Sequence, residues 1–533
     1  MNVAEWIKLL FKKEADTDRT TNPNDARKTF ISDEEKIIQA KITANKIWYI
    51  GDGDELLNYY TEKQAIGFYQ NPIYNRNKRN YFWSLSAEEC AIKRVHSGIP
   101  YAIISTISNI IGMPTISVKV NENGNTADIS KVWDRISEKN QFKVKLTQQG
   151  RQLTLAEGFG AWKVNIRPEL ADFPIWEYYE ATDVEYIVEC GILTGIIFKN
   201  YYKVDKDDYI LFETRGKKNG SSYIHYNLFK LYNDNTIEEV PINTVPELEG
   251  VEDKEIPGLD EILGVPARYF YDPLNSRYGR SIYDGKLDLF DDLDQILSQD
   301  SQTVRVSTPV EYYSPDTLER GPNGQIGIPH LYNRQFVQKA GIPDGEGNMS
   351  ADIITTQPDL HFDKYSENAM SKLNFILTGV LSPATLGIDV AKKDNAEAQR
   401  EKEKITIQTR NNIIASETDM LIQFVKLSLY MQEYLTKGTI TMREYEISIK
   451  YNEFANPSFE SELQILGPAW ANNEISTKQY IDLLWGDKLS DEDKKKEEEY
   501  LEQARQQGMD MEGMLGNANE NANRDSFSLP EVE

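Results

Sequence analysis

Helical spacing dominates the first part of the chain. Ser32 and Glu35 stand in capping-box relation before a helix to Ile47, and Asp54 to Ile66 and Ala87 to Val95 also suit helices. Pro100 to Ile111 has too few polar residues for a solvent face, which predicts a core helix. Strand rhythm follows at Thr115 to Val120, closed by Asn123-Gly124. Two amphipathic helical stretches lie between Ala127 and Ala156, and Gly158 and Gly160 lead into a strand from Ala161 to Ile166. From Val184 to Val240, runs such as YIVEC, GIIFKNYY, DYILFET and YIHYNLFKLY alternate with turns like Lys218-Asn219-Gly220, which predicts an antiparallel meander. Residues 30 to 270 read as one α+β body.

Beyond it the rhythm changes. Ser281 to about Arg305 predicts a helix with Leu289, Leu293, Ile296 and Leu297 on one stripe, and with Asp288, Asp291, Asp292, Asp294 and Asp300 mostly on an acidic remainder. Thr308 to Leu360 shifts to Pro, Gly and short β-prone runs, the mark of a small separate module. A second helix, His361 to about Gly379, leads out of it into the loop LSPATLGIDVAKKD. Asn395 to Lys437 then contains neither Gly nor Pro, with Asp394 and Glu397 in capping-box relation before it and Gly438 behind it. Such a helix is roughly 65 Å long if straight. Its first half is polar and its second carries Ile413, Ile414, Met420, Leu421, Phe424, Val425, Leu427 and Tyr434, so the second half is expected to be buried and the first to reach solvent or a neighbour. Apolar a/d positions do not persist over enough heptads for a coiled coil. Thr439 to Phe454 predicts a strand rejoining a sheet. Helices at Ser458 to Trp470, Ser476 to Trp485 (with Gly486 behind) and Ser490 to Gln507 precede a polar, Asn-rich tail expected to be disordered.

Size makes this a multi-domain protein: 533 residues exceed what one core serves. No apolar run is long enough to cross a membrane, and the first residues read as a short amphipathic helix followed by a polar linker, not as a secretion leader. Two cysteines, Cys90 and Cys190, provide no disulfide framework and fit a reducing compartment. A net charge of −26 disfavours a protein that grips nucleic acid by neutralising phosphates. It is compatible with a wall along which DNA slides without sticking.

Catalytic motifs fail one by one. Gly216-Lys217 has Leu211 and Lys218 where a phosphate loop needs Gly and Ser or Thr; Gly158-Phe159-Gly160 lacks the third glycine of a dinucleotide fingerprint. Asp52-Gly53-Asp54-Glu55 has Leu56 and Leu57 where a calcium loop needs a ligand and Gly, so an acidic helix start explains it. The four histidines have no metal-ligand spacing. No enzyme activity, cofactor or metal site is expected. The one chemical alternative is Mg²⁺ held by the Asp284 to Asp300 carboxylates for nuclease chemistry.

The order of elements, together with PARYFYDPLNSRYGRSIYDG, LSPATLGIDVAKKDNAEAQREKEKITIQTRNN and EISTKQYIDLLWGDKLSDEDKKKEEEYL, resembles the portal proteins of tailed bacteriophages. The resemblance implies an α+β portal fold: N-terminal helix and linker (1–29), wing (30–280), stem helix (281–307), small α/β clip (308–360), stem helix (361–380), tunnel loop (381–394), long kinked helix with a returning wing strand (395–456), helical crown (457–508) and disordered tail (509–533). It further implies a ring of twelve at one capsid vertex of the virion, assembled in the bacterial cytoplasm, through which double-stranded DNA is packaged and ejected. Asp389, Val390, Ala391, Lys392, Lys393 and Asp394 would line the constriction, and Asp288, Asp291 and Asp292 the stem. Tyr312, Tyr313, Arg320 and Arg334 of the clip would meet the terminase large subunit and then head-completion (adaptor) proteins. Major capsid and scaffolding proteins are further expected partners, and no membrane is. The competing reading is a head, tail or baseplate structural protein that contacts no DNA.

Overall fold

A computed structural model of the chain describes residues 28–29, 33–61, 81–85, 92–122, 125–232, 236–272, 277–307, 310–313, 335–338, 354–356, 362–388, 396–441, 443–452, 466–468, 470, 475–485 and 494–503. Two compact units emerge, Met1–Ala391 with Lys402–Asn452, and Lys392–Glu401 with Glu453–Glu533.

In the first unit, β1 (Lys28–Thr29) precedes helices α1 (Asp33–Ile50), α2 (Gly53–Thr61) and α3 (Ile99–Ile111). Strands β2 (Thr115–Glu122) and β3 (Asn125–Asp128) and helix α4 (Ser130–Lys139) follow, and a helical run from Phe142, with a wide π-type turn at Lys145–Gly150, ends in α5 (Arg151–Glu157). Then come β4 (Phe159–Asn165), β5 (Ile175–Glu180), β6 (Val184–Glu189), β7 (Ile192–Val204), β8 (Asp207–Lys218), β9 (Ser221–Leu231), β10 (Thr236–Val240), β11 (Lys254–Pro257) and β12 (Gly264–Arg268). Helix α6 (Leu287–Val306), strands β13 (Val310–Tyr313), β14 (Gln335–Gln338) and β15 (Ile354–Thr356), helix α7 (Phe362–Leu377), the long helix α8 (Ala396–Lys437) and β16 (Tyr445–Lys450) complete the series before α9 (Thr477–Trp485).

The chain is α+β. The predicted meander forms a sheet in the order β1-β10-β9-β8-β7-β6, with β11 added on β9. Lys218 pairs with Ser221 across a two-residue turn in which Asn219 and Gly220 both have positive φ, the twist that suits a hairpin. Smaller sheets are β12-β4-β5, β14-β13-β15 and β16-β2-β3. The strand expected after the long helix does rejoin a sheet, Tyr445 pairing with Val120 and Lys450 with Thr115, although it is confined to Tyr445–Lys450.

Two large cores hold the body. One joins Trp133, Phe142, Trp162 and Trp176 to Phe424 and its neighbours on α8; the other joins Trp48, Ile104, Tyr283, Phe290 and Ile376 to Ile413, also on α8. The second half of α8 is buried as expected because it serves both, and it stops at Gly438, whose positive φ lets its N–H reach Tyr434 O at 2.8 Å. In the second unit, α9 begins with a reciprocal capping box: Ser476 Oγ accepts the Gln479 N–H, and Gln479 Oε1 accepts the Ser476 N–H.

Three expectations need correcting. Residues 92–95, read as the end of a helix, are irregular, because the Val95 and Ser97 N–H groups go to side chains of α6 instead of to a helical turn. Helix α3 has a solvent face, with Tyr101 half exposed. The helix expected from Ser281 starts at Leu287, since the Ser281 hydroxyl is drawn into bonds with the carbonyls ending α5. The N-terminal helix and the tail from residue 509 lie outside the described residues, as do the ends of several predicted helices.

Candidate functional site

Helices α6 and α7 run antiparallel and bracket strands β13–β15. Lys286 Nζ, just before α6, donates to the carbonyls of Ile376 and Thr378; Asp292 pairs with Lys372 at 2.5 Å; Thr303 Oγ1 lies 3.4 Å from Tyr365 OH. The higher the number on α6, the lower its partner on α7. Phe290 and Leu293 share one core with Leu373, Ile376 and Leu377, and Ile296 is buried as well. Elsewhere α7 is open, and Phe362, Met370 and Phe375 are 54%, 39% and 62% exposed.

The acids of α6 do not form the single solvated face expected of them. Asp288 is exposed and accepts the Tyr81 hydroxyl, and Asp292 is partly exposed and holds Lys372. Asp291 and Asp294 are buried. Asp291 accepts the N–H groups of Phe82 at 2.6 Å and Trp83 at 3.3 Å. Asp294 takes Trp83 Nε1 at 3.1 Å, the Ser97 N–H at 2.8 Å and His96 Nδ1 at 2.8 Å. Ser298, one turn further, accepts the Val95 N–H at 2.8 Å. The reason is the spacing: 291, 294 and 298 form a polar row beside the apolar one, and irregular backbone needing acceptors lies across it. Burial pushes the Asp291 carboxyl up to about 7, against the pull of its two N–H donors, with Asp294 and Asp292 adding to the rise.

The approach to the predicted constriction is firmly built. Lys286 satisfies carbonyls at the C-terminal end of α7, where a cation suits the helix dipole. The chain then turns through a short 3₁₀ helix, Pro383–Leu386. Thr406 of α8 accepts the Ser382 N–H at 2.9 Å and bonds the Thr385 hydroxyl at 2.9 Å. The loop residues themselves, Asp389, Val390, Ala391, Lys392, Lys393 and Asp394, lie outside the described residues. Of the four residues expected to meet partner proteins, Tyr312 and Tyr313 sit on β13, which pairs parallel with β14 and antiparallel with β15; Arg320 and Arg334 lie outside the described residues.

Asp52-Gly53-Asp54-Glu55 is a helix start: Asp52 Oδ1 accepts the N–H groups of Asp54 and Glu55. Among the described residues no group of three or more His, Cys, Asp or Glu is placed to hold a metal ion, and no helix is long and apolar enough to cross a membrane. Sequence reasoning missed Asp294 and Ser298 as holders of residues 81–97, Lys286 as a cap and Thr406 as the anchor of the loop. The polar row on α6 was the one available signal. No family model matches the chain, and no curated protein matches it.

Proposed function

We propose that the chain is a non-catalytic subunit that assembles into a ring, resembles a phage portal, and conducts double-stranded DNA. The observation that carries the reading is the α6/α7 pair. It brackets a small β module at one end, leads at the other into residues 381–388, the first part of the expected tunnel loop (381–394), and leaves Phe362, Met370 and Phe375 in water. Each such side chain gains roughly 1.5–3 kcal/mol when fully buried, and neighbouring copies related head to tail around a closed ring bury them all at once. Asp288 and Asp292 on the same pair, in a chain of net charge −26, keep a polyanion moving instead of binding it.

On this reading the ring occupies one capsid vertex of the virion. The loop lysines Lys392 and Lys393 touch passing phosphates, the β13–β15 module receives the terminase large subunit and later head-completion proteins, and major capsid and scaffolding proteins surround the body. The test is native mass measurement with negative-stain imaging of the full chain. A closed ring with an open axial channel is the expected result. A monomer, a filament or a plugged disc overturns it, and a closed assembly without a channel favours a head, tail or baseplate component.

A further inference from the structure

Two short stretches, Tyr81–Leu85 and Ile92–Gly98, lie against α6: Phe82 and Trp83 are buried in the core that α6 shares, and the backbone around them donates to side-chain acceptors of that helix. From Asp288 to Ser298 the acceptors recur every three or four residues, and five donors of the stretches end on Asp291, Asp294 and Ser298 alone: the N–H groups of Phe82, Trp83, Val95 and Ser97, and the Trp83 indole. We infer that this contact is a proton-operated latch, closed in mild acid and loosened as the solution is brought to neutrality, with Asp291 as the group that gains and loses the proton. The inference rests on the α6 contact alone and is independent of the proposed ring.

Charge and burial decide which group titrates. Asp291 and Asp294 lie one turn apart with 4% and 0% of their surface exposed, so two charges there repel with little water to screen them. Asp294 receives three donors, one of them the His96 imidazole; Asp291 receives only two backbone N–H groups, one of them long at 3.3 Å. Asp291 is therefore the carboxyl that keeps a proton, in line with its raised pKa.

Among the described residues, the other charged and titratable neighbours place no cation within bonding distance of Asp291. On α6 itself they are the acids Asp288 and Asp292, the latter already matched by Lys372 of α7. From α2 comes the Tyr60 phenol, stacked on Tyr81 at 4.8 Å and bonded to the Trp48 indole. The Arg94 guanidinium lies over the Phe82 and Trp83 rings and donates to Leu85 O. His96 Nδ1 lies 2.8 Å from Asp294, not from Asp291. When Asp291 ionises, the second buried charge is relieved by letting water in, which means parting the two stretches from the helix.

The experiment is hydrogen exchange of the full chain from pH 6 to 8.5, with each amide's rate normalised to its intrinsic base-catalysed rate. The amides of Phe82, Trp83 and Ser97 are expected to lose protection by up to about tenfold per pH unit below about pH 7 and to level off above it, where Asp291 is ionised in the closed state too, while the α3 core amides stay constant. Asp291→Asn, which carries no charge and keeps one acceptor oxygen for the shorter bond from Phe82, is expected to give a protection that does not change with pH. Asp294→Asn is expected to expose them at every pH. A flat wild-type profile overturns the latch, as does the same pH-dependent rise in Asp291→Asn or full protection in Asp294→Asn.

Discussion

Arg151 and Glu417 face each other with both side chains at zero exposure, Nη2 to Oε1 at 2.6 Å and Nε to Oε2 at 2.7 Å. Tyr269 and Tyr451 donate their hydroxyls to the same carboxylate, and Arg151 Nη1 donates to Ser108 O. One bidentate pair thus joins α5, α3, the long helix and the residues after β12 and β16. Removing one partner strands a buried charge, so Glu417→Ala is expected to destabilise by about 3–5 kcal/mol, while Arg151→Met with Glu417→Leu costs less than either single change. Urea unfolding of Glu417→Ala, Arg151→Met, Glu417→Leu and the double variant checks it. A double variant as weak as the sum of the singles would mean the charges do not compensate each other.

Glu157, at the end of α5, carries a buried carboxyl. Burial pushes it up to about 8 against the Ala181 N–H, with Glu180 adding to the rise and Lys46, 3.9 Å away, opposing it. The folded pKa lies above the unfolded one, so between about 4.5 and 8 the folded state holds a proton that the unfolded chain lacks. Stability from this group is therefore present in acid and lost as pH rises through that window, at up to about 1.4 kcal/mol per pH unit. The urea midpoint is expected to fall from pH 5.5 to about 8 and to level off beyond it, and Glu157→Gln to flatten that fall. An unaltered slope in the variant shows that Glu157 is ionised in the folded protein.

Thr406 holds the approach to the loop through its hydroxyl. Thr406→Val leaves the Ser382 N–H without its acceptor, an effect of about 1–3 kcal/mol, whereas Thr406→Ser retains it. Hydrogen exchange over 382–388 is expected to quicken in the valine variant only.

Phe375 and Met370 are exposed on α7, so replacing both with Glu leaves the isolated fold within about 0.5 kcal/mol of wild type. If copies of the chain bury them, the same double variant stays monomeric in light scattering coupled to gel filtration. Retention of the full assembly would exclude α7 from the contact.

The loop lysines are tested differently. Lys392→Ala with Lys393→Ala is expected to leave assembly intact and to lower the amount of DNA packaged. Unchanged packaging removes both side chains from the DNA path.

The meander was legible because its signal is local: alternating runs and a turn, Asn219-Gly220, whose chemistry names its conformation. The hairpin between β6 and β7 carries no such mark, since its turn is Cys190-Gly191 and Cys190 takes the positive φ that Asn usually takes. The helix start at Ser476 and the stop at Gly438 could likewise be read directly. The acids of α6 could not, because composition says that Asp favours water, and only the backbone donors brought in from residues 81–97 make Asp291 and Asp294 interior groups. Lys286 and Thr406 show the same limit: each acts on a carbonyl or N–H that is distant in sequence, and one lysine or threonine looks like another until the fold chooses its partner.

The pairing of Tyr445 with Val120 also constrains how the molecule is made. A ribosome releases β2 long before β16 exists, and at ordinary elongation rates the delay is on the order of tens of seconds. Throughout that time β2 has β3 on one side and an open edge on the other, so the nascent chain carries a sticky strand that only its own distant continuation can cover. Slow translation or truncation before residue 445 is therefore the condition under which this protein aggregates.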